Sequence, residues 1–321
     1  MDSAQTRAVA TVRAASRSRD GFTVIELLTV IAIVGLLLSL IAPAVMVVRQ
    51  RARHLECANR LKQLGLAQHS FLEVHGHFPT TSEPFPSSIA GLQRLVPYLN
   101  GHSKSFVCPA DRREAEGDPD GLPRNYYQND GCRFRRFDRN GFASDRDAGL
   151  PSNVFHDTTA ADITDGLSNT VAISEQLLAA PDDGLLTETQ LRADPHRYFW
   201  YTSLVYPDEE ALASACDGDR QSPYPLTVFT SGFRRCGYDH ILPPNHIGCI
   251  NGPYTGPLGG YERNAALPAS SQHGGYVNVL LVDGAVRSVA DHIDLKVWRA
   301  LGTRAGAETT GLEYSCHDVL S

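Results

Sequence analysis

The chain has 321 residues, of which 42% are hydrophobic, and this proportion favours a folded core over a disordered chain. The formal net charge of −7 argues against a body that binds nucleic acid, because phosphate contacts need a concentrated basic surface. The seven cysteines include no C-x-x-C pair. Their spacing argues against a zinc ribbon or a thioredoxin-type motif, but leaves disulfides open if the body lies outside the cytoplasm.

The N-terminal region combines a basic leader with a long apolar segment. The leader contains four arginines, Arg7, Arg13, Arg17 and Arg19. The segment from Leu27 to Val48 contains no charged residue, and about 20 helical residues at about 1.5 Å each cross a bilayer core of about 30 Å. We therefore predict a transmembrane helix that ends near residue 48.

Glu26 is the one charged residue between Gly21 and Val45. An ionised carboxylate in hydrocarbon is costly unless it is paired, so we expect a cationic partner. The alternative is a charge close enough to the membrane edge to reach water.

A second helical pattern continues directly from the apolar segment. Apolar side chains recur every three or four positions, at Ala52, Leu55, Ala58, Leu61, Leu64, Ala67, Phe71 and Val74. This spacing predicts an amphipathic helix. Gly76, with Pro79 soon after it, is a common stop signal, so the helix is expected to end at Gly76.

The rest of the chain has the sequence pattern of a β-rich domain, which we call the head. Short apolar runs alternate with Pro, Gly, Asn and Asp, which predicts short strands and long loops. Within "DITDGLSNT", the oxygen atoms of Asp162, Asp165 and Asn169 are candidate calcium ligands. The alternative is that these side chains build a turn by bonding their own backbone.

"SQHGGYVNVLLVDGAVRSVAD" predicts a β-hairpin over residues 276–290. Two runs of strand-forming residues meet across Asp283-Gly284, a dipeptide favoured in two-residue type I′ turns. His273 and Asp283 stand at opposite ends of one strand, roughly 30 Å apart at about 3.3 Å per residue. A catalytic dyad between them is therefore not expected.

The order of residues at the N-terminus resembles that of type IV prepilins and pseudopilins. A basic leader is followed by Gly21, Phe22, Glu26 and the apolar run. The resemblance implies that prepilin peptidase cuts between Gly21 and Phe22 and N-methylates Phe22, whose amine would then be the partner of Glu26. Asp20 departs from the basic residue usual at its position.

The body resembles a planctomycete family of prepilin-like proteins that carry a domain of unknown function. Its segments "CANRLKQLGLAQHSF", "FVCPAD", "DITDGLSNT" and "VWRALGTRAGAE" occur in the family's order. An H-x9-DG box, formed by His273, Asp283 and Gly284, accompanies them. The resemblance supplies no known enzymatic activity, and it implies a disulfide between Cys57 and Cys108.

These features predict an α+β protein, in which a long, partly transmembrane pilin-like helix packs on a mostly antiparallel β head with long loops. The expected parts are a leader at 1–21, a transmembrane helix at 22–48, its amphipathic continuation at 49–76 and a head at 77–321.

We expect a pseudopilin-like structural or assembly protein, anchored once in the inner membrane with its head outside the cytoplasm. Its expected partners are prepilin peptidase, the membrane, further subunits and a type II secretion or pilus machinery, with no nucleic acid and no cofactor. The alternative is a membrane-anchored module that binds calcium or polysaccharide.

An enzyme is not expected, because H-E-x-x-H, G-x-S-x-G and nucleotide-binding glycine patterns are missing. The histidines of "HGH" (75–77) and of "DHILPPNH" (239–246) could be metal ligands, but loop histidines are more often solvated or capping.

Overall fold

The computed structural model describes residues 23–79, 91–99, 103–111, 124–133, 140–143, 157–178, 188–221, 223–225, 237–253 and 265–306. The chain divides into two compact units, Met1–Arg49 and Gln50–Ser321. Gly21 and Phe22 lie outside the described residues.

In the first unit, the described residues form the beginning of helix α1, which spans Val24–His75. An 18-residue window of α1 has a mean hydropathy of 2.8, and none of it is buried in the protein. Among the described residues α1 is the one helix long and apolar enough to cross a membrane. Its exposed leucine, isoleucine and valine side chains match a surface that faces lipid.

In the second unit, the remaining part of α1 presents a narrow buried face. The residues buried there are Cys57, Leu61, Leu64, Gly65, Ala67, Gln68 and Phe71. Leu55 and Val74, which were expected on this face, are 62% and 69% exposed, because they lie off the line that Cys57, Leu61 and Leu64 follow. The predicted end of the helix is confirmed. Gly76 has a φ of +76°, and its N–H donates to the carbonyl of Leu72 at 2.8 Å.

The head contains nine described strands and several short helices. The strands are β1 Tyr126–Asn129, β2 Val171–Glu175, β3 Tyr198–Tyr201, β4 Pro223–Pro225, β5 Gly237–Tyr238, β6 Gly248–Ile250, β7 Ala265–Ala266, β8 Tyr276–Leu281 and β9 Val286–Ala290. The further α-helices are α2 Glu188–Ala193, α3 Glu209–Gly218 and α4 Leu295–Ala300, and the 3-10 helices are Gly91–Leu99, Ser103–Phe106, Ala160–Asp162 and Pro195–Arg197.

Two sheets organise these strands. The larger has the order β5-β1-β2-β8-β9 and the smaller the order β4-β3-β6-β7. All the pairs are antiparallel except β1 with β5 and β3 with β6. The α+β class with a mostly antiparallel head is confirmed.

The larger sheet lies between two hydrophobic layers. On one face, Ile173 and Leu280 pack with the buried side of α1. On the other, Val171 and Val279 pack with Trp298 of α4, which is fully buried. Strand β2 is buried at every position, as expected for a central strand covered on both faces.

"KSFVCPAD", whose order of residues predicts a strand that leads into a turn at Pro109, contains no strand: Ser103–Phe106 is a 3-10 helix, and a turn follows it. "GLQRLVPYLN", for which the sequence predicts a short helix, forms the 3-10 helix Gly91–Leu99. The hairpin of β8 and β9 is confirmed, but its turn is not type I′.

The hairpin turn contains three residues. Leu281 donates its N–H to Ala285 at 2.8 Å, and Gly284 donates to Leu281 at 2.9 Å. Only Gly284, at φ +84°, takes a positive φ in this turn, whereas a type I′ turn needs positive φ at both central residues. The geometry is that of a turn closed by a glycine in the left-handed region.

Candidate functional site

Glu26 forms a capping box at the start of α1. The backbone N–H and hydroxyl of Thr23 donate to Glu26 Oε2 at 2.9 and 2.7 Å, and Glu26 N–H faces Thr23 Oγ1 at 3.4 Å. The first N–H groups of a helix have no acceptor within the helix, and the capping box supplies acceptors for two such backbone N–H groups here. The sequence reasoning missed Thr23, although T-x-x-E before an apolar run is the pattern of this motif.

His273 of the H-x9-DG box belongs to a buried polar cluster. Its Nε2 lies 3.0 Å from Glu175 Oε1 at the end of β2, and both side chains are 2% exposed. The same nitrogen lies 3.7 Å from Cys108 Sγ. Cys108 is joined to Cys57 of α1 by a disulfide, so the box histidine adjoins the bond that links the helix to the head.

Asn278 of β8 holds the carboxylate of Glu175 in place. Its backbone N–H donates to Glu175 Oε2 at 2.8 Å, and its side-chain amide donates to Oε1 at 3.1 Å. Asn278 Oδ1 in turn contacts His54 Nε2 at 2.9 Å and accepts from Ser288 at 2.8 Å. No short motif marks Glu175 or Asn278 in the sequence, and neither was predicted.

The ring of Tyr276 covers His273. The two rings are parallel within 6°, with centroids 5.6 Å apart. Burial, and then the charge of Glu175, raise the pKa of the Tyr276 hydroxyl above its ordinary value. The cluster is therefore a tightly enclosed region around one carboxylate.

Asp283 and Gly284 contact other parts of the protein than His273 does. Asp283 Oδ1 accepts from the N–H of Ala285 at 2.8 Å, which stabilises the hairpin turn. The carbonyl of Gly284 accepts from Lys62 of α1 at 2.6 Å. His273 thus contacts Glu175 and Cys108 before β8 begins, whereas Asp283 and Gly284 make their contacts in the turn after β8 ends. The two ends of the box form no dyad.

Hydrogen bonds engage the candidate calcium ligands. Asp162 Oδ2 accepts from the backbone and hydroxyl of Thr159, both at 2.7 Å. Asp165 Oδ2 accepts from Thr303 at 2.9 Å, and Asn169 donates to the carbonyl of Asp165 at 3.0 Å. The bonds of Asp162 and Asn169 are local, as the turn-building alternative requires, whereas that of Asp165 reaches a distant segment. Calcium binding stays a prediction.

Asp111 of the "FVCPAD" segment forms a buried ion pair with Arg197. Arg197 Nη2 lies 2.5 Å from Asp111 Oδ1, and both residues are 7% exposed. Burial alone would raise the pKa of Asp111, but the hydrogen bonds and charge of Arg197, with further bonds from Leu178 and Asn125, leave that pKa below its ordinary value.

His240 is a core residue, in contrast to the solvated or capping role expected of loop histidines. It is fully buried and stacks on Trp298 with a centroid distance of 3.8 Å. Its Nδ1 lies 2.6 Å from the Trp298 carbonyl and its Nε2 lies 2.9 Å from the Tyr238 hydroxyl. Burial lowers the pKa of His240 to about 3, so the ring is neutral at physiological pH.

Two family models match the chain. One, described as "Protein of unknown function (DUF1559)", matches residues 46–100 and 82–296. The other, described as "Prokaryotic N-terminal methylation motif", matches residues 16–42. No curated protein and no solved structure matches the chain significantly.

Proposed function

Because the chain belongs to the family described as protein of unknown function (DUF1559) and carries a prokaryotic N-terminal methylation motif, we propose that it is a pseudopilin-like assembly subunit. The protein is type IV pilin-like, processed by prepilin peptidase and anchored in a membrane. Its proposed role is to insert through α1 and present the head outside the cytoplasm. This role is structural, and catalysis is no part of it.

The observation that carries the proposal is the coincidence of the methylation motif with the start of α1. The motif spans residues 16–42, and the apolar helix begins at Val24. Cleavage after Gly21 would leave Phe22 two residues ahead of the helix, close in sequence to Glu26. The described hydrogen bonds of Glu26 use Oε2, which leaves Oε1 as the acceptor for a terminal amine of the same or a neighbouring subunit.

The disulfides support an extracytoplasmic head. Cys57 bonds to Cys108 and Cys216 bonds to Cys249. Such bonds persist in oxidising compartments and are rare in the cytoplasm. The burial of the Glu175 and His273 side chains, each 2% exposed, also favours a structural role.

Intact-mass analysis of full-length protein extracted from membranes tests the processing step. Co-expression with prepilin peptidase should yield a species that begins at Phe22 and carries one added methyl group. A Gly21→Val variant should keep the leader. Gly35→Val is the matched control, since nothing lies within 4 Å of a Cβ built at Gly35. A wild-type protein that retains its leader in the presence of the peptidase would refute the proposal.

Two variants separate the charge of Glu26 from its capping bonds. Glu26→Gln removes the charge but keeps a side chain that can serve in a capping box, whereas Thr23→Ala removes the cap and keeps the charge. We expect Glu26→Gln to insert normally but to lose methylation or subunit cross-linking, and Thr23→Ala to retain both. The reverse pattern would reduce Glu26 to a helix cap.

A further inference from the structure

Four side chains with metal-binding atoms converge in the head from four separate segments. Cys57 comes from α1, Cys108 from the turn after Phe106, Glu175 from the end of β2, and His273 from the loop before β8. One ligand atom from each lies within 4.8 Å of all the others. We propose that, when the Cys57–Cys108 disulfide is reduced, these four residues bind a zinc ion.

The distances between the donor atoms approach those of a tetrahedral zinc site. Cys108 Sγ lies 3.8 Å from Glu175 Oε1 and 3.7 Å from His273 Nε2, and the latter two atoms are 3.0 Å apart. Zinc bonds of about 2.3 Å to sulfur and about 2.0–2.1 Å to nitrogen or oxygen imply separations of about 3.3–3.8 Å between ligands. The main movement required is the separation of the two sulfurs once their bond is broken.

The surroundings of the disulfide support a metal site as well as a structural cross-link. A disulfide needs no carboxylate or imidazole beside it, and a buried carboxylate is costly without a cation. Among the described residues no lysine or arginine lies within ion-pair distance of Glu175, and the basic group beside its carboxylate is the imidazole of His273, at 3.0 Å. A zinc ion bound between the two would place a positive charge next to the carboxylate.

The residues around the cluster make contacts like those that hold the direct ligands in place at metal sites. Asn278 fixes both oxygens of Glu175, and Tyr276 stacks on the ring of His273. Such contacts orient metal ligands and tune their affinity. Four protein ligands and near-complete burial describe a closed structural site, with no open position for a substrate.

Reduction and zinc binding convert the disulfide-bonded pair of cysteines into a pair of zinc ligands. A dithiol reductant gives up two electrons and two protons and becomes a disulfide, while the Cys57–Cys108 bond takes them up and breaks into two thiols. Zn²⁺ then binds the two sulfurs as thiolates, and both protons pass to solvent. The disulfide and the zinc site are therefore alternatives for the same pair of cysteines.

Zinc titration of the full-length protein in detergent tests this site. The protein is reduced with a water-soluble phosphine, titrated against a chromophoric zinc chelator, and its Co²⁺ complex is examined for the absorption of tetrahedral thiolate coordination. We expect one zinc per chain in the reduced protein and none in the oxidised protein. His273→Gln should weaken zinc binding more than about 100-fold. This loss exceeds the roughly 10–100-fold that is typical when a residue that only contacts a metal ligand is replaced.

Two controls separate this site from the other thiols and histidines. A Cys216→Ser/Cys249→Ser variant lacks the second disulfide and should bind zinc as the wild type does. His292→Gln, which removes a histidine whose side chain is 88% exposed, should also bind normally. Equal affinity in His273→Gln and His292→Gln would overturn the proposal.

Alkylation mapping of the reduced wild type requires no variant and so remains decisive if His273→Gln fails to fold. Zinc should slow the alkylation of Cys57 and Cys108 and leave that of Cys216 and Cys249 unchanged. Uniform rates with and without zinc would overturn the proposal. Either result is independent of N-terminal processing, which is measured by the mass of the mature chain.

Discussion

Lowering the pH should destabilise the head through His240. Its Nδ1 faces a carbonyl, which can only accept, so this nitrogen carries the proton and Nε2 accepts from the Tyr238 hydroxyl. A second proton would place a charge in a site with no exposure to water. This is why burial lowers the pKa of His240 in the folded protein to about 3.

The size of the effect follows from the two pKa values. An unfolded chain binds a proton at His240 with a pKa of about 6.5, and the folded chain binds it with a pKa of about 3. Because the unfolded state binds more protons, stability is retained above about pH 7.5 and declines from about pH 6.5 towards pH 3. The loss between pH 8 and pH 5 is about 2 kcal/mol, and the limiting loss is about 5 kcal/mol.

Urea unfolding of the full-length protein in detergent, followed by tryptophan fluorescence between pH 8 and pH 5, measures this loss. His240→Asn keeps a short amide beside the Trp298 carbonyl and cannot titrate, so it should be less stable at pH 8 but lose about 2 kcal/mol less on acidification. His292→Asn, at an exposed position, should follow the wild type. Parallel pH curves for the wild type and His240→Asn would refute the reasoning.

Three further changes should affect stability in ways that calorimetry can measure. Asp111→Ala removes the more buried of the two carboxylates that pair with Arg197 and leaves the guanidinium with Asp194 alone, so it should cost about 1.5–3 kcal/mol; adding Arg197→Met should recover part of this loss, and no recovery would contradict a role for the ion pair. Gly284→Ala places a residue with a side chain at a positive φ and should cost about 1–2 kcal/mol. Gly218→Ala is the control: the added Cβ meets open space at the end of α3, so this variant should be neutral or stabilising. Serine at both positions of the Cys216–Cys249 bond removes a cross-link of sequence separation 33 and should cost roughly 2–4 kcal/mol; an unchanged melting temperature would contradict a stabilising role for the bond.

Local patterns in the sequence were sufficient to predict several elements. The anchor helix follows from the run without charges between Leu27 and Val48, since spanning a bilayer depends on length and composition. The end of α1 at Gly76 and the pairing of β8 with β9 depend on residues close together in the chain. The type of hairpin turn could not be predicted, because a two-residue and a three-residue turn can both place a glycine after an aspartate.

Thus the sequence by itself determined the anchor, the processing motif, the class of fold and the hairpin, all of which depend on neighbouring residues. Only the tertiary structure decided which side chains meet in the head. Glu175 and His273 are 98 positions apart, and Cys108 and Glu175 are 67 apart. His240 lies in a proline-rich stretch whose sequence predicts an exposed loop, but in the structure its ring stacks on Trp298. Packing between distant segments creates these environments, and no local pattern encodes them.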